Sequence, residues 1–137
     1  MAYLIYTWLS AHGCHHPCVA ALLGNAHAEV GETLNPCTVD GAFIGLFQWG
    51  YERKTALLNK YGKQWCKLEH QLSFMVSEMQ ARGVWVKLTT TKSLQTAAAI
   101  VADFEGGKGP EVRYHFALSY SQQIKRFHPP AIQWSWK

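Results

Sequence analysis

No stretch of this 137-residue chain reaches the roughly 18 consecutive apolar residues of a membrane-spanning helix, so no membrane partner is expected. Runs of about five or six Lys or Arg are also missing, and without such an arm the net charge of +4 does not point to nucleic acid. The modest basic balance suits an anionic polymer such as a bacterial cell wall. No Gly, Ser or Pro tract is long enough to divide the chain, and no repeat or low-complexity segment interrupts it, so residues 1–137 read as one domain. At this length a chain buries about two thirds of its unfolded surface and needs no staple to fold. MAYLIYTWLSAHG lacks the basic start and small-residue cleavage site of a signal peptide. It reads as the first helix, and an extracellular-looking domain without a leader is expected either to leave by another route or to belong to a longer chain.

Acidic side chains are scarce, at nine, and none of the seven histidines has a visible Ser or Cys partner for a catalytic triad. Aromatic residues, by contrast, make up 13% of the chain, more than a core of this size requires, so some rings are expected to line a cleft. The four cysteines, Cys14, Cys18, Cys37 and Cys66, permit three pairings. The cluster CHHPC, preceded by His12, also offers thiolate and imidazole groups to zinc, and disulfides, buried free thiols and a zinc site all remain open readings.

Apolar spacing of three and four predicts helices over about 3–11 and from Pro17 to Val30, with Gly31 as the stop. DGAFIGLFQWG (40–50) is Gly-punctuated and aromatic and suits a short hairpin or tight loop. Helices are expected at about 51–61 and 65–82, the latter with a core stripe of Leu68, Leu72, Met75 and Met79. VWVKLTTT (84–91) reads as a short strand or a connector. A further buried stripe runs from about Ser93 to Phe104 and stops at GGKGP, and a last helix spans about 111–125. The tail FHPPAIQWSWK reads as irregular.

Within LLGNAHAEVGETLNP, Cys18, Leu22, Asn25 or Ala26, and Glu29 share one helix face, which carries Glu29 onto the end of a buried stripe. Partial burial and the negative end of the helix dipole both raise the pKa of a carboxyl there. A carboxylic acid kept protonated near neutral pH is what a glycosidase uses to protonate the leaving oxygen. The bland alternative is that Glu29 reaches solvent past a fraying helix end.

Gly24-Asn25, then Glu29, then Leu34-Asn35-Pro36, then the stretch from Gly45 through Gln48-Trp49 to Arg53 closely resemble the phage tail lysozyme family. In that family GN, ES and NP are followed by a G-(I/L)-x-QW-x-x-R stretch, and the Glu is the catalytic acid. Glu29-Val30, Gly45-Leu46-Phe47-Gln48 and Asp103-Phe104-Glu105-Gly106-Gly107 are more loosely similar to the ES, GLMQ and AYNAG motifs of lytic transglycosylases and goose-type lysozymes. The likeness spans roughly residues 3–120. It implies a lysozyme-like fold, mainly α (α+β), with about six helices and a small β-hairpin or loop lining a cleft. Departures are Val30 for Ser after the acid, the added Gly31-Glu32, and Phe104 for Tyr, so the tuning of Glu29 would rest more on burial.

The resemblance implies a muramidase cutting the β-1,4 bond between N-acetylmuramic acid and N-acetylglucosamine in peptidoglycan. It places the chain outside the cell or on a virion tail, in or beside a larger tail protein, with no metal or organic cofactor. A hydrolase that inverts also needs a base about 6.5–9.5 Å from the acid. Asp40, Glu32 and Glu105 are the candidates. Asp40-Gly41 is also a plain turn signal, and Glu105 is also suited to an ion pair with Arg53 or Arg113. Gln48 and Trp49 are expected to face the cleft as an amide for sugar hydroxyls and an indole for a pyranose face. Their alternative is a core Trp with a Gln bonded to loop backbone. Asn25 is expected to bond to Glu29 or cap a loop and to join the substrate-binding set. The rival readings are a lytic transglycosylase using the same Glu29, a non-catalytic wall-binding module, and a zinc-stabilised interaction domain.

Overall fold

The structure, a computed structural model, describes residues 1–127. The reading of the tail beyond Phe127 lies outside the described residues. Among the described residues there are seven α-helices and one two-stranded sheet, a mainly α, lysozyme-like arrangement. In order they are α1 (Ala2–Ala11), α2 (His16–Val30), β1 (Val39–Asp40), β2 (Phe43–Ile44), α3 (Tyr51–Tyr61), α4 (Leu68–Ala81), α5 (Val84–Thr90), α6 (Leu94–Phe104) and α7 (Pro110–Phe127). A 3₁₀ turn, Gly62–Gln64, follows α3 and delays the start of α4 to Leu68. None of these helices is long and apolar enough to cross a membrane.

The core is built around α2. Every residue from Cys18 to Ala26 is buried, because α2 is small and apolar all round and has helices on several sides. Its largest interface is with α7, and α6 and α1 cover other faces. Gly24 sets the α2–α7 approach: a Cβ there would stand 2.6 Å from the backbone nitrogen of Ala117, so any larger residue would push the helices apart. From His27 to Val30 the helix is only half-buried, which brings Glu29 to the edge of the core.

The segment after α2 is pinned to α4. Gln71, fully buried, accepts from the Leu46 amide at 2.8 Å and donates to the carbonyls of Pro36 (2.7 Å) and Trp65 (2.9 Å). One disulfide, Cys37–Cys66, ties the same two regions, and another, Cys14–Cys18, closes the α1–α2 junction. Both thiols of CHHPC are therefore joined to each other, and no free cysteine remains. The hairpin pairs Val39 with Ile44 and Asp40 with Phe43, and Ile44 pairs onward with Trp49.

The seventh helix, α5, replaces the strand or connector expected at 84–91. Its β-branched residues weaken helix propensity, but Leu88 is drawn fully into the core, and the hydroxyls of Thr89 and Thr90 bond back to the carbonyls of Trp85 (2.9 Å) and Val86 (2.7 Å). Packing overrides propensity there. Ser93 caps α6 by accepting from the Thr96 amide at 3.2 Å.

Candidate active site

Between the end of α2, the hairpin, the start of α3 and the turn after α6 lies a cleft of about 290 Å³. Three carboxylates line it, Glu29, Asp40 and Glu105, together with Gln48, Arg53 and Lys108.

Glu29 stands in the last turn of α2, where the buried stripe meets the cleft, with its side chain 22% exposed. Burial raises its pKa, and the positive charges of Arg113, Lys108 and Arg53 pull part of the way back. Arg113, on α7, is itself nearly buried. It donates to Oδ1 of Asn25 at 2.6 Å and to the Lys108 carbonyl at 2.6 Å, and its Nη2 lies 3.6 Å from Oε2 of Glu29. Asn25 thus acts at one remove from the acid. It is fully buried, lies outside the cleft lining and contacts Arg113 rather than substrate space, which corrects its expected place in the substrate-binding set.

Glu105 follows α6 directly, with a side chain only 3% exposed. Burial pushes its pKa up to about 7 against the attraction of Arg53, with the charge of Glu29 adding to the rise. Arg53 binds Glu78 through Nε at 2.7 Å and Nη2 at 2.8 Å, and the same Nη2 approaches Glu105 Oε2 at 3.0 Å. The approach is a charge contact without hydrogen-bond alignment, so Oε2 lacks a hydrogen-bond partner. The ion pair expected as the alternative for Glu105 is therefore present, with Arg53 as its cation. Phe104, which stands where the loosely similar families carry Tyr, is flanked by Arg82 and Arg53, 4.5 and 5.6 Å from its ring centre.

Asp40 is the exposed carboxylate of the cleft, carried by β1 at the hairpin turn. Gln48 lines the cleft but spends its amide on the loop, donating to the Gly45 carbonyl at 2.8 Å and holding a φ of 50°. Trp49 does not face the cleft as expected. It is fully buried, edge-on to Phe47 and Phe74, and its Nε1 donates to Glu78 at 2.8 Å. Gly45 makes room for it, since a Cβ at that position would lie 2.8 Å from the indole. The aromatic surface offered to the cleft is instead Tyr51, 78% exposed, with its ring set edge-on to Phe43 at 5.9 Å. Tyr51 also has φ 50°, and non-glycine residues held in this region cluster at functional sites.

Phe43, Tyr51, Lys108 and the anchoring Glu78 escaped the sequence reading. Lys108 sits in GGKGP, two residues past the Glu105-Gly106 motif, and Tyr51 follows the Gln-Trp-Gly run directly; that adjacency was the available signal.

A mainly α fold with a small two-stranded hairpin beside a cleft lined by three carboxylates is consistent with a lysozyme-like domain. The family model described as phage tail lysozyme matches residues 1–127, and the chain belongs to that family. Membership makes it a lysozyme-like cell-wall hydrolase by class. Comparison with curated proteins and with solved structures returned no match.

Proposed function

We propose that the chain is a muramidase that hydrolyses the β-1,4 bond between N-acetylmuramic acid and N-acetylglucosamine in peptidoglycan, with Glu29 as general acid. The observation that carries the reading is the setting of Glu29: at a helix end, partly buried, raised in pKa and opening onto a cleft lined by other carboxylates. A protonated Glu29 gives its proton to the leaving glycosidic oxygen. Asp40 is the base that activates water, because it is exposed where Glu105 is closed off and held by Arg53. Glu105, whose burial favours the neutral form, stays outside the proton transfers in this reading. The Tyr51–Phe43 pair supplies the ring surface on which a pyranose stacks. The same reading takes the chain as one catalytic domain, at work on a virion tail or otherwise outside the cell, and requires no cofactor.

Glu29→Gln is the direct test. The amide keeps the shape and loses the proton, so wall lysis followed by turbidity should fall by about 10²–10⁴ with an unchanged melting curve. Near-normal lysis by a well-folded Glu29→Gln protein would move the acid elsewhere, first to Glu105.

A second reading, a lytic transglycosylase, is favoured by one feature. Glu105 is withdrawn from solvent, so Asp40 alone is left to hold a water, whereas ring closure by the sugar's own hydroxyl needs no second carboxylate.

A further inference from the structure

The cations around the cleft are not equivalent. Arg53 is committed to Glu78 and Glu105, and Arg113 to Asn25, the Lys108 carbonyl and Glu29. Lys108 lines the cleft, is exposed, and among the described residues makes no ion pair.

Its backbone is nevertheless fixed. The Lys108 carbonyl accepts from Arg113 Nε at 2.6 Å, the Gly107 amide donates to the Ala102 carbonyl at 2.7 Å, and the Arg113 amide donates to the Gly109 carbonyl at 3.1 Å. Gly106, Gly107 and Gly109 take φ values of 95°, 76° and 52°, a path that only glycine follows readily. The loop thus presents one ammonium group from a held base.

An unpaired cation beside a general acid works against the acid, because its charge favours the deprotonated form, and Lys108 does lower the pKa of Glu29. An anion bound to Lys108 would cancel that effect at the moment substrate arrives. The substrate offers one in a suitable place. A muramoyl residue carries a lactyl group on O3, usually extended by a peptide, and O3 is two ring carbons from the anomeric carbon at which Glu29 acts.

Resting on the muramidase reading, we propose that Lys108 is a specificity determinant that binds a carboxylate borne by the 3-O arm of the muramoyl residue next to the scissile bond. The cleft therefore discriminates between arms with free carboxylates and arms in which they are blocked.

The test uses soluble glycan chains with peptide arms, free of other wall polymers, before and after conversion of their carboxylates to amides with carbodiimide and ammonia. A third set, stripped by an amidase, exposes the lactyl carboxylate itself. Wild-type protein should show a kcat/KM about fivefold higher on the free-carboxylate chains than on the amidated ones, as expected for one partly exposed ion pair. Lys108→Gln should bring that ratio close to one, and Lys108→Arg should restore it. In peptide-bearing chains the lactyl carboxyl is already an amide, so the wild-type preference reports a carboxylate on the peptide. Stripped chains should match the free-carboxylate chains if the exposed lactyl carboxylate also reaches Lys108 and the amidated chains if it does not, and either result, beside that preference, supports the proposal. Equal wild-type rates on free and amidated chains, or a preference retained in Lys108→Gln, overturn it while leaving the muramidase reading intact. Cleavage of no chain by wild type overturns both.

Discussion

Arg113 stands 3.6 Å from the carboxylate of Glu29 but makes its short bond, 2.6 Å, to Asn25. The guanidinium is anchored elsewhere and lends Glu29 charge without a hydrogen bond. Burial pushes the acid's pKa up and Arg113 is the largest force pulling it back, so the two set the pH at which the acid loses its proton.

Arg113→Gln removes the opposing charge. The pKa of Glu29 should rise further, and the alkaline limb of the wall-cleavage profile should move to higher pH. The same change deprives the buried Asn25 of its donor, at about 1–3 kcal/mol, and releases the carbonyl of the exposed Lys108. A pH-rate series with a parallel melting curve checks both effects. A limb that stays put or moves down would show that Glu29 is not the group being titrated.

Glu105 links the site to stability. Its pKa lies at about 7 in the folded chain against an ordinary 4.5, so the fold favours its neutral form. That contribution is fully present below about pH 4.5 and is lost as pH rises through about 7, with an upper bound of about 3 kcal/mol. His16, whose pKa burial lowers, acts in the opposite sense, because the fold resists its protonation as pH falls. The difference between wild type and Glu105→Gln therefore isolates the carboxyl. Calorimetry from pH 5 to 8 should show wild type losing melting temperature with rising pH more steeply than the variant; parallel slopes would count against a neutral Glu105.

Most of the helices and the place of Glu29 at the end of α2 were legible because apolar spacing and a carboxyl at the end of a buried stripe are local patterns. Helix α5 was not, since its Thr-rich sequence favours extended backbone and only the burial of Leu88 by distant residues reverses that preference. Trp49 and Gln48 are adjacent in an aromatic loop, and nothing local says which faces the cleft. The answer depends on space left by Gly45 and on an acceptor, Glu78, 29 positions away. Asn25 was read onto the correct helix face, but its partner comes from α7, 88 residues on. Burial is the largest cause of the raised pKa of Glu29, which the end of a buried helical stripe leads one to expect.

The two disulfides differ in what they constrain. Cys37–Cys66 joins residues 29 apart and Cys14–Cys18 joins residues 4 apart, so loop-closure entropy gives about 3–4 kcal/mol to the first and about 2 kcal/mol to the second. Alkylation of native protein should find no free thiol. Replacing Cys37 and Cys66 with Ala should lower the denaturation midpoint more than replacing Cys14 and Cys18, and should impair wall cleavage too, because the first bridge holds the hairpin segment against α4. Four alkylatable thiols in the native protein would refute the pairing, and the reverse order of midpoints would refute the ranking.

Asp40 decides between the two enzyme readings. A hydrolase must bring a water to the anomeric carbon on a path opposite or alternating with the acid, and Asp40 is the most exposed carboxylate of the cleft, at the turn of the hairpin. Glu105, closed off and facing Arg53, has no comparable access. Asp40→Asn should therefore reduce hydrolysis by at least about 10², the usual contribution of a general base, without a loss of folding stability, because Asp40 is exposed. Glu105→Gln should cost less activity than Asp40→Asn. The fragments released by wild type should end in reducing muramic acid. Predominantly 1,6-anhydro ends, each lighter by one water, together with an active Asp40→Asn protein, would mean that the sugar's own hydroxyl closes the ring and that Glu29 alone serves as acid and base.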